Sequence, residues 1–137
     1  LYDDLTVKQM LDFHESFYKK NINKRRKQLV KLLKLDESKK VEDLSLGNSK
    51  KLGIILALMH EPKLLICDEP TGNLDPKTSK EIIKVINSIN KDMGTTVIMV
   101  THDKEIVNSM KKRVITLENG VLTSDTKKGS YTADERD

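Results

Sequence analysis

The chain has 137 residues, 36% of them hydrophobic, and carries 25 Lys and Arg against 21 Asp and Glu for a net charge of +4. That is one domain's worth of soluble, core-forming sequence, and its longest apolar stretches, such as Ile54 to Met59 and Val97 to Val100, fall far short of the roughly 20 residues a transmembrane helix needs. The single cysteine, Cys67, excludes an internal disulfide framework and, inside an apolar run, reads as a buried structural thiol in a reducing compartment.

The opening Leu1-Tyr-Asp-Asp-Leu is acidic where a signal peptide would be positive, and it lacks a Met, so the chain reads as a fragment. Basic residues fall in short clusters at 24–27, 39–40, 50–51, 111–113 and 127–128, which solvated faces explain for the most part. Four of the five aromatics (Tyr2, Phe13, Phe17, Tyr18) lie in the first eighteen residues. No stacking platform accompanies the basic clusters, so a nucleic-acid partner is not expected.

In chain order, Thr6-Val-Lys-Gln9 has the form of a capping box, and Val7, Met10, Leu11, His14, Phe17 and Tyr18 follow at helical spacing. His14 falls on that stripe and reads as a packed or edge histidine. A second helix, over 24–35, directs Leu29, Leu32, Leu33 and Leu35 inward and its basic residues outward. Ser45 offers an N-cap to a third helix with Leu52, Ile55, Leu56 and Met59 on one face, stopping at Glu61-Pro62. Leu64 to Cys67 reads as a short buried strand. Asp75-Pro76 is an N-cap with proline at the first helical position, opening a helix with Ile82, Ile83, Ile86 and Ile89 inward and Gly94 just past its end. Thr95 to Val100 is a second strand without alternation, as expected where both sheet faces are covered. Strand, helix and strand make a βαβ unit, whose strands are parallel. A short helix over 103–110 follows. Asn119-Gly120 between two β-prone runs signals a hairpin, and the tail from Thr126 is polar.

Parallel strands present equivalent ends along one sheet edge, and ligands bind outside the carboxyl ends of strands in open α/β sheets. The first strand ends in Asp68-Glu69 and the second in Thr101-His102-Asp103. An isolated buried carboxylate is expensive to ionise, so a greasy run ending in two acids implies a cation, a proton or donors to meet them.

LLICDE at 64–69, PTGNLDP at 70–76, VTHD at 100–103 and LSLGN at 44–48 stand in the order and spacing of the Walker B, D-loop, H-switch and signature motifs. On these residues the chain resembles the nucleotide-binding domain of ABC transporters over essentially its whole length. The resemblance implies an α/β fold, a partial P-loop NTPase-like ABC ATPase core with a small helical subdomain at 1–62 and the core, C-terminal hairpin and polar tail at 63–137. It implies that Asp68 holds Mg²⁺ through a water, that Glu69 is the general base for the attacking water, and that His102 contacts the γ-phosphate of ATP. One step along a strand turns a side chain to the other face, so two adjacent acids can do two jobs. Asp75 takes the acidic position of the D-loop. Ser45, Gly47 and Asn48 are implied to face the ATP of a second ATPase subunit in a head-to-tail dimer, at a helix start that favours an anion. From Ser45 and Gly47 alone an ordinary N-cap is the simpler account, and Leu46 and Asn48 depart from the family's usual glycine and glutamine.

No G-x-x-x-x-G-K-[ST] loop occurs among the six glycines. The expectation is that about the first third of the domain or more lies outside the chain, with strands that should flank those at 64–67 and 95–100. The family implies an ATP-hydrolysing subunit at the cytoplasmic face of the membrane, peripheral and partnered by a transmembrane permease. The chain alone is expected to be inactive. The segment through Asp68 resembles drug or bacitracin-type exporter ATPases, and the motifs after it the cell-division or lipoprotein-releasing type. The alternative is a non-catalytic truncated module docking to a permease or to a full-length ATPase; a DNA-repair or translation ATPase is disfavoured by TGNLDP and the lack of large insertions.

Overall fold

The structure, a computed structural model, describes residues 4–127. Local chemistry explains most element starts. Thr6 caps α1 (Val7–Glu15) by accepting from the Gln9 N–H, while the Gln9 side chain accepts the Thr6 N–H at 2.8 Å. The helix ends at Ser16, so Phe17 lies beyond it and is 66% exposed, its ring set edge-to-face against Phe13 at 4.9 Å. His14 is half-buried beside Tyr18, whose ring stacks on His60 at 5.0 Å.

Helix α2 (Asn23–Leu33) buries Leu29 and Leu33, but Leu32 is 45% exposed and Arg26 is only 5% exposed. Both differ from the expected pattern for one reason. At about 100° per residue, Arg26, Leu29 and Leu33 share a face and Leu32 falls well outside it. The Arg26 guanidinium is buried with its charge met: it donates to Asp12, to Glu15 at 3.1 Å, to Glu37 at 2.9 Å and to the Lys8 carbonyl at 3.4 Å. The segment after α2 closes back on α1, with Val7 and Lys8 N–H groups bonded to the carbonyls of Lys39 and Glu37.

Helix α3 (Leu46–Leu58) starts at the Ser45 cap and buries Leu52, Ile55 and Leu58, with Met59 just past its end. Strand β1 (Leu64–Asp68) pairs in parallel with β2 (Thr96–Val100), from Leu64 opposite Thr96 to Asp68 opposite Val100. Between them, α4 (Pro76–Met93) buries Ile82, Ile83, Val85, Ile86 and Ile89 and ends at Gly94, whose φ of +66° a β-carbon would disfavour. The expected βαβ unit is therefore present.

The strands are not covered on both faces. Leu65 is buried, and Cys67 and Val97 pack half-buried on the core, whereas Leu64, Ile66, Ile98 and Val100 are 48%, 65%, 50% and 54% exposed. Side chains alternate along a strand, so these four lie on one face. In the described residues β1 and β2 form a two-stranded sheet with helices against the other face.

Two compact units follow one another along the chain, the first running to Val100 and the second from Thr101. In the first unit one apolar cluster joins Val7, Leu11, Leu29 and Leu33 of the helical segment to Leu65, Val85 and Ile89. The second unit, taken by itself, holds α5 (Lys104–Met110), capped by Asp103, and the antiparallel hairpin β3 (Val114–Glu118) and β4 (Val121–Thr126). Asn119 and Gly120 turn it at φ +51° and +78°, as a two-residue hairpin of the mirror-image type requires. Arg113 clasps Asp125 with two hydrogen bonds across the strands, at 2.8 and 2.6 Å. Thr126, from which a polar tail is expected, ends β4; the tail beyond residue 127 lies outside the described residues.

Candidate functional site

The first unit brings three segments together: the end of β1, the start of α3 and the start of α4. Asp68 closes β1 on its open face, exposed and opposite Val100. Glu69 leaves the strand with φ +42°, in the left-handed region that a side-chain-bearing residue seldom adopts. Its N–H donates to the Val100 carbonyl at 3.0 Å, and its own carbonyl accepts from the Gly72 N–H at 3.0 Å. Pro70 and the buried Thr71 fill this tight turn, and a second bond, Leu74 N–H to the Thr71 carbonyl at 3.2 Å, carries the chain to the cap of α4.

Asp75 is that cap. One carboxylate oxygen accepts from the N–H groups of Lys77 and Thr78, both at 3.0 Å. Bonding to Thr78 above all, and to the Lys77 N–H as well, holds this carboxyl below the usual carboxylate range.

Ser45 caps α3, its hydroxyl accepting from the Asn48 N–H at 3.4 Å, and the first intrahelical bond is Ser49 N–H to the Ser45 carbonyl. The N–H groups of Leu46 and Gly47 belong to the first turn, which has no intrahelical acceptors. Gly47 approaches α4 closely: a β-carbon there would stand 2.8 Å from the Thr78 methyl. The absent side chain at Gly47 is thus a packing requirement between α3 and α4.

Lys50 and Lys51, expected on a solvated face, are turned to partners. Lys50 Nζ donates to the carbonyls of Glu69 at 3.0 Å and Gly72 at 2.8 Å, and Lys51 meets Glu81 at 3.0 Å with its side chain 12% exposed. Neither was legible from charge alone. The only sequence hint is that Lys50 sits near the start of α3, about nineteen residues before Glu69. Cys67 is half-buried and its thiol is pushed up by desolvation. A shallow cavity of about 230 Å³, lined by Lys50, Ile54, Cys67 and Glu69 among others, lies between α3 and β1. His102 follows Val100 by two residues and belongs to the second unit; Asp103 caps α5 through the N–H groups of Glu105 and Ile106, at 2.9 and 3.1 Å.

A family model described as "AAA domain, putative AbiEii toxin, Type IV TA system" matches residues 3–108. The cell division ATP-binding protein FtsE of Bacillus subtilis (strain 168) is 49% identical over 90 residues, covering 66% of this chain and 39% of that protein. Among solved structures, cbiO1 from Clostridium perfringens, part of the ABC transporter complex cbiONQ, superposes with a TM-score of 0.79 at 32% identity, covering 90% of this chain and 51% of that one. The chain belongs to this AAA-domain family and is a partial ABC nucleotide-binding domain. The ATP-binding cassette MJ0796, in a dimeric post-hydrolysis state bound to ADP and Pi, gives a TM-score of 0.77 at 26% identity over 96% of this chain and 60% of that one. This ABC domain therefore spans about four to six tenths of the length of these relatives. The FtsE match accords with the cell-division likeness read from its later motifs.

Proposed function

We propose that this ABC domain supplies the signature and catalytic portion of an ATP-hydrolysing subunit that energises a membrane permease. The observation that carries the reading is the end of β1, where adjacent acids leave a parallel strand pair at its carboxyl edge and enter a turn leading to a capped helix.

Within that reading Asp68 and Glu69 have separate tasks. Asp68 is a single exposed carboxylate at the sheet edge, and no described group of three or more His, Cys, Asp or Glu gathers there to form a protein cage. That donor set fits Mg²⁺, which keeps several waters and takes one or two carboxylates plus substrate phosphates. When bound, the ion neutralises charge on the β- and γ-phosphates. Glu69 orients the attacking water and accepts its proton. His102 contacts the γ-phosphate. Ser45, Gly47 and Asn48 present the start of α3 to the ATP of a second subunit in a head-to-tail dimer, and Asp75 holds the D-loop position. A dimeric relative bound to ADP and Pi supports both the nucleotide and the pairing.

Such a subunit sits on the cytoplasmic face of the membrane as a peripheral partner of a transmembrane permease; no helix among the described residues is long and apolar enough to cross a membrane. A second reading is a non-catalytic module that docks to a permease or a full-length ATPase; it applies to the 137 residues taken by themselves, in which no G-x-x-x-x-G-K-[ST] loop occurs. Glu69→Gln, placed in a cassette completed with a phosphate-binding loop, separates the two. The catalytic reading expects ATP binding to persist and turnover to fall by at least about a hundredfold, at the low end of what general-base catalysis contributes. Unchanged hydrolysis would sink it.

A further inference from the structure

Lys50 lies near the start of α3, and its ammonium joins two carbonyls that belong to one turn. Those carbonyls, of Glu69 and Gly72, are the first and fourth residues of the turn closed by the Gly72 N–H to Glu69 carbonyl bond. The ammonium therefore bridges the turn from end to end, and the Glu69 carbonyl accepts twice. Glu69 needs that hold. At φ +42° its backbone is in a region that a β-carbon disfavours, and a residue persists there only when its surroundings over-determine it.

The Glu69 N–H donates to the Val100 carbonyl of β2, and the Glu69 carbonyl accepts from the Gly72 N–H within the turn and from the Lys50 ammonium. Of these only the last comes from a side chain and from the helix that also carries Ser45 and Gly47. Since φ and ψ set the direction in which a side chain leaves the backbone, whatever holds the turn holds the aim of the Glu69 carboxylate.

We propose that Lys50 is a positioning residue: its ammonium clamps the Glu69–Gly72 turn and thereby ties the signature helix to the direction of the Glu69 carboxylate. The proposal rests on the reading of Glu69 as general base for its catalytic consequence, but the clamp itself does not. A displacement of α3 would be transmitted to Glu69 through one ammonium group.

The experiment uses the ¹⁵N-labelled chain and two variants. Lys50→Met keeps the unbranched stem without the donors; Lys50→Arg keeps donors. The clamp predicts that Lys50→Met speeds hydrogen exchange of the Gly72 amide by about tenfold or more and shifts the Glu69 resonances. Exchange along α1 and α2 should stay as in the parent, and Lys50→Arg should restore the parent pattern. Equal Gly72 exchange in parent and Lys50→Met, or no rescue by Arg, overturns it. Independently of any variant's folding, the parent Lys50 ammonium protons should exchange with water more slowly than those of the exposed Lys27, and equal rates would also overturn it. In a completed cassette, Lys50→Met should lower kcat about tenfold with KM for ATP unchanged, and a rise in KM alone contradicts a positioning role. Glu69→Gln measured alongside keeps the two ideas apart: normal turnover there removes the general base while leaving the clamp to stand on the exchange data.

Discussion

Replacing Arg26 by alanine should destabilise the first unit by about 3 kcal/mol. The guanidinium, its side chain 6% exposed, donates to Asp12, Glu15 and Glu37, which come from α1 and the segment after α2. Hydrogen bonds to charged groups contribute about 1.5–3 kcal/mol each, so three would sum to several kcal/mol in a dry site. The carboxylates are not dry: their side chains are 46%, 24% and 36% exposed and regain water when the arginine goes, which cuts each pair to about 1 kcal/mol. Asp12 keeps its bond from Lys8, but Glu15 and Glu37 are left as like charges beside a void, which opposes any collapse that would recover part of the loss. For a unit of about 100 residues the expected fall in Tm is about 10–20 °C.

The pH dependence has a definite sign. The hydrogen bond from Lys8, and then that from Arg26, hold the Asp12 carboxyl below its ordinary value of 3.8. A group whose pKa is lowered by folding contributes stability above its unfolded pKa and loses it as pH falls through the folded value. The gap between parent and Arg26→Ala should thus be full at neutral pH and shrink below about pH 4. Urea unfolding followed by circular dichroism at several pH values measures it. A gap under about 0.5 kcal/mol at pH 7, or one that persists unchanged in strong acid, would rule out the Arg26 ion pairs as the source of that stability.

Two further outcomes concern the site's surroundings. Gly47→Ala should cost about 1 kcal/mol, the crowding of the Thr78 methyl outweighing alanine's better helix propensity, and Thr78→Ser in the same chain should remove that cost; equal denaturation midpoints for parent and Gly47→Ala would contradict the packing role. Ile66 and Ile98, paired across the open sheet face, should drive self-association of the isolated chain, so Ile66→Lys with Ile98→Glu should lower its sedimentation-averaged mass at high concentration without changing the circular dichroism spectrum.

What the sequence disclosed was local. Thr6 with Gln9, Ser45, Asp75 with Pro76, Gly94 and the Asn119-Gly120 turn each announce a conformation through their own backbone or side-chain chemistry, and each stands where it was expected. Burial of Ile82, Ile83, Ile86 and Ile89 was legible too, because a helical period marks one face. What failed depended on partners distant in sequence. Arg26 reads as a surface charge until Asp12, Glu15 and Glu37 surround it, and Lys50 reads as half of a basic pair until a turn nineteen residues later presents two carbonyls to it. The apolar runs of β1 and β2 record a need for cover on both faces, while the described chain covers one. Among the proposed site residues, Asp68, Glu69 and Asp75 were placed by the strand end and the helix cap, both local signals. The left-handed Glu69 was not, since nothing in Asp-Glu-Pro specifies which backbone basin the glutamate takes.

On the proposed function, these 137 residues carry the acids and the signature helix of an ATPase site without the loop that cradles the phosphates. Calorimetric titration of Mg·ATP into the purified chain reads that deficit as affinity. Binding no tighter than about 1 mM, roughly 4 kcal/mol, is expected, and saturable one-to-one binding in the micromolar range would show that the phosphates are held without that loop.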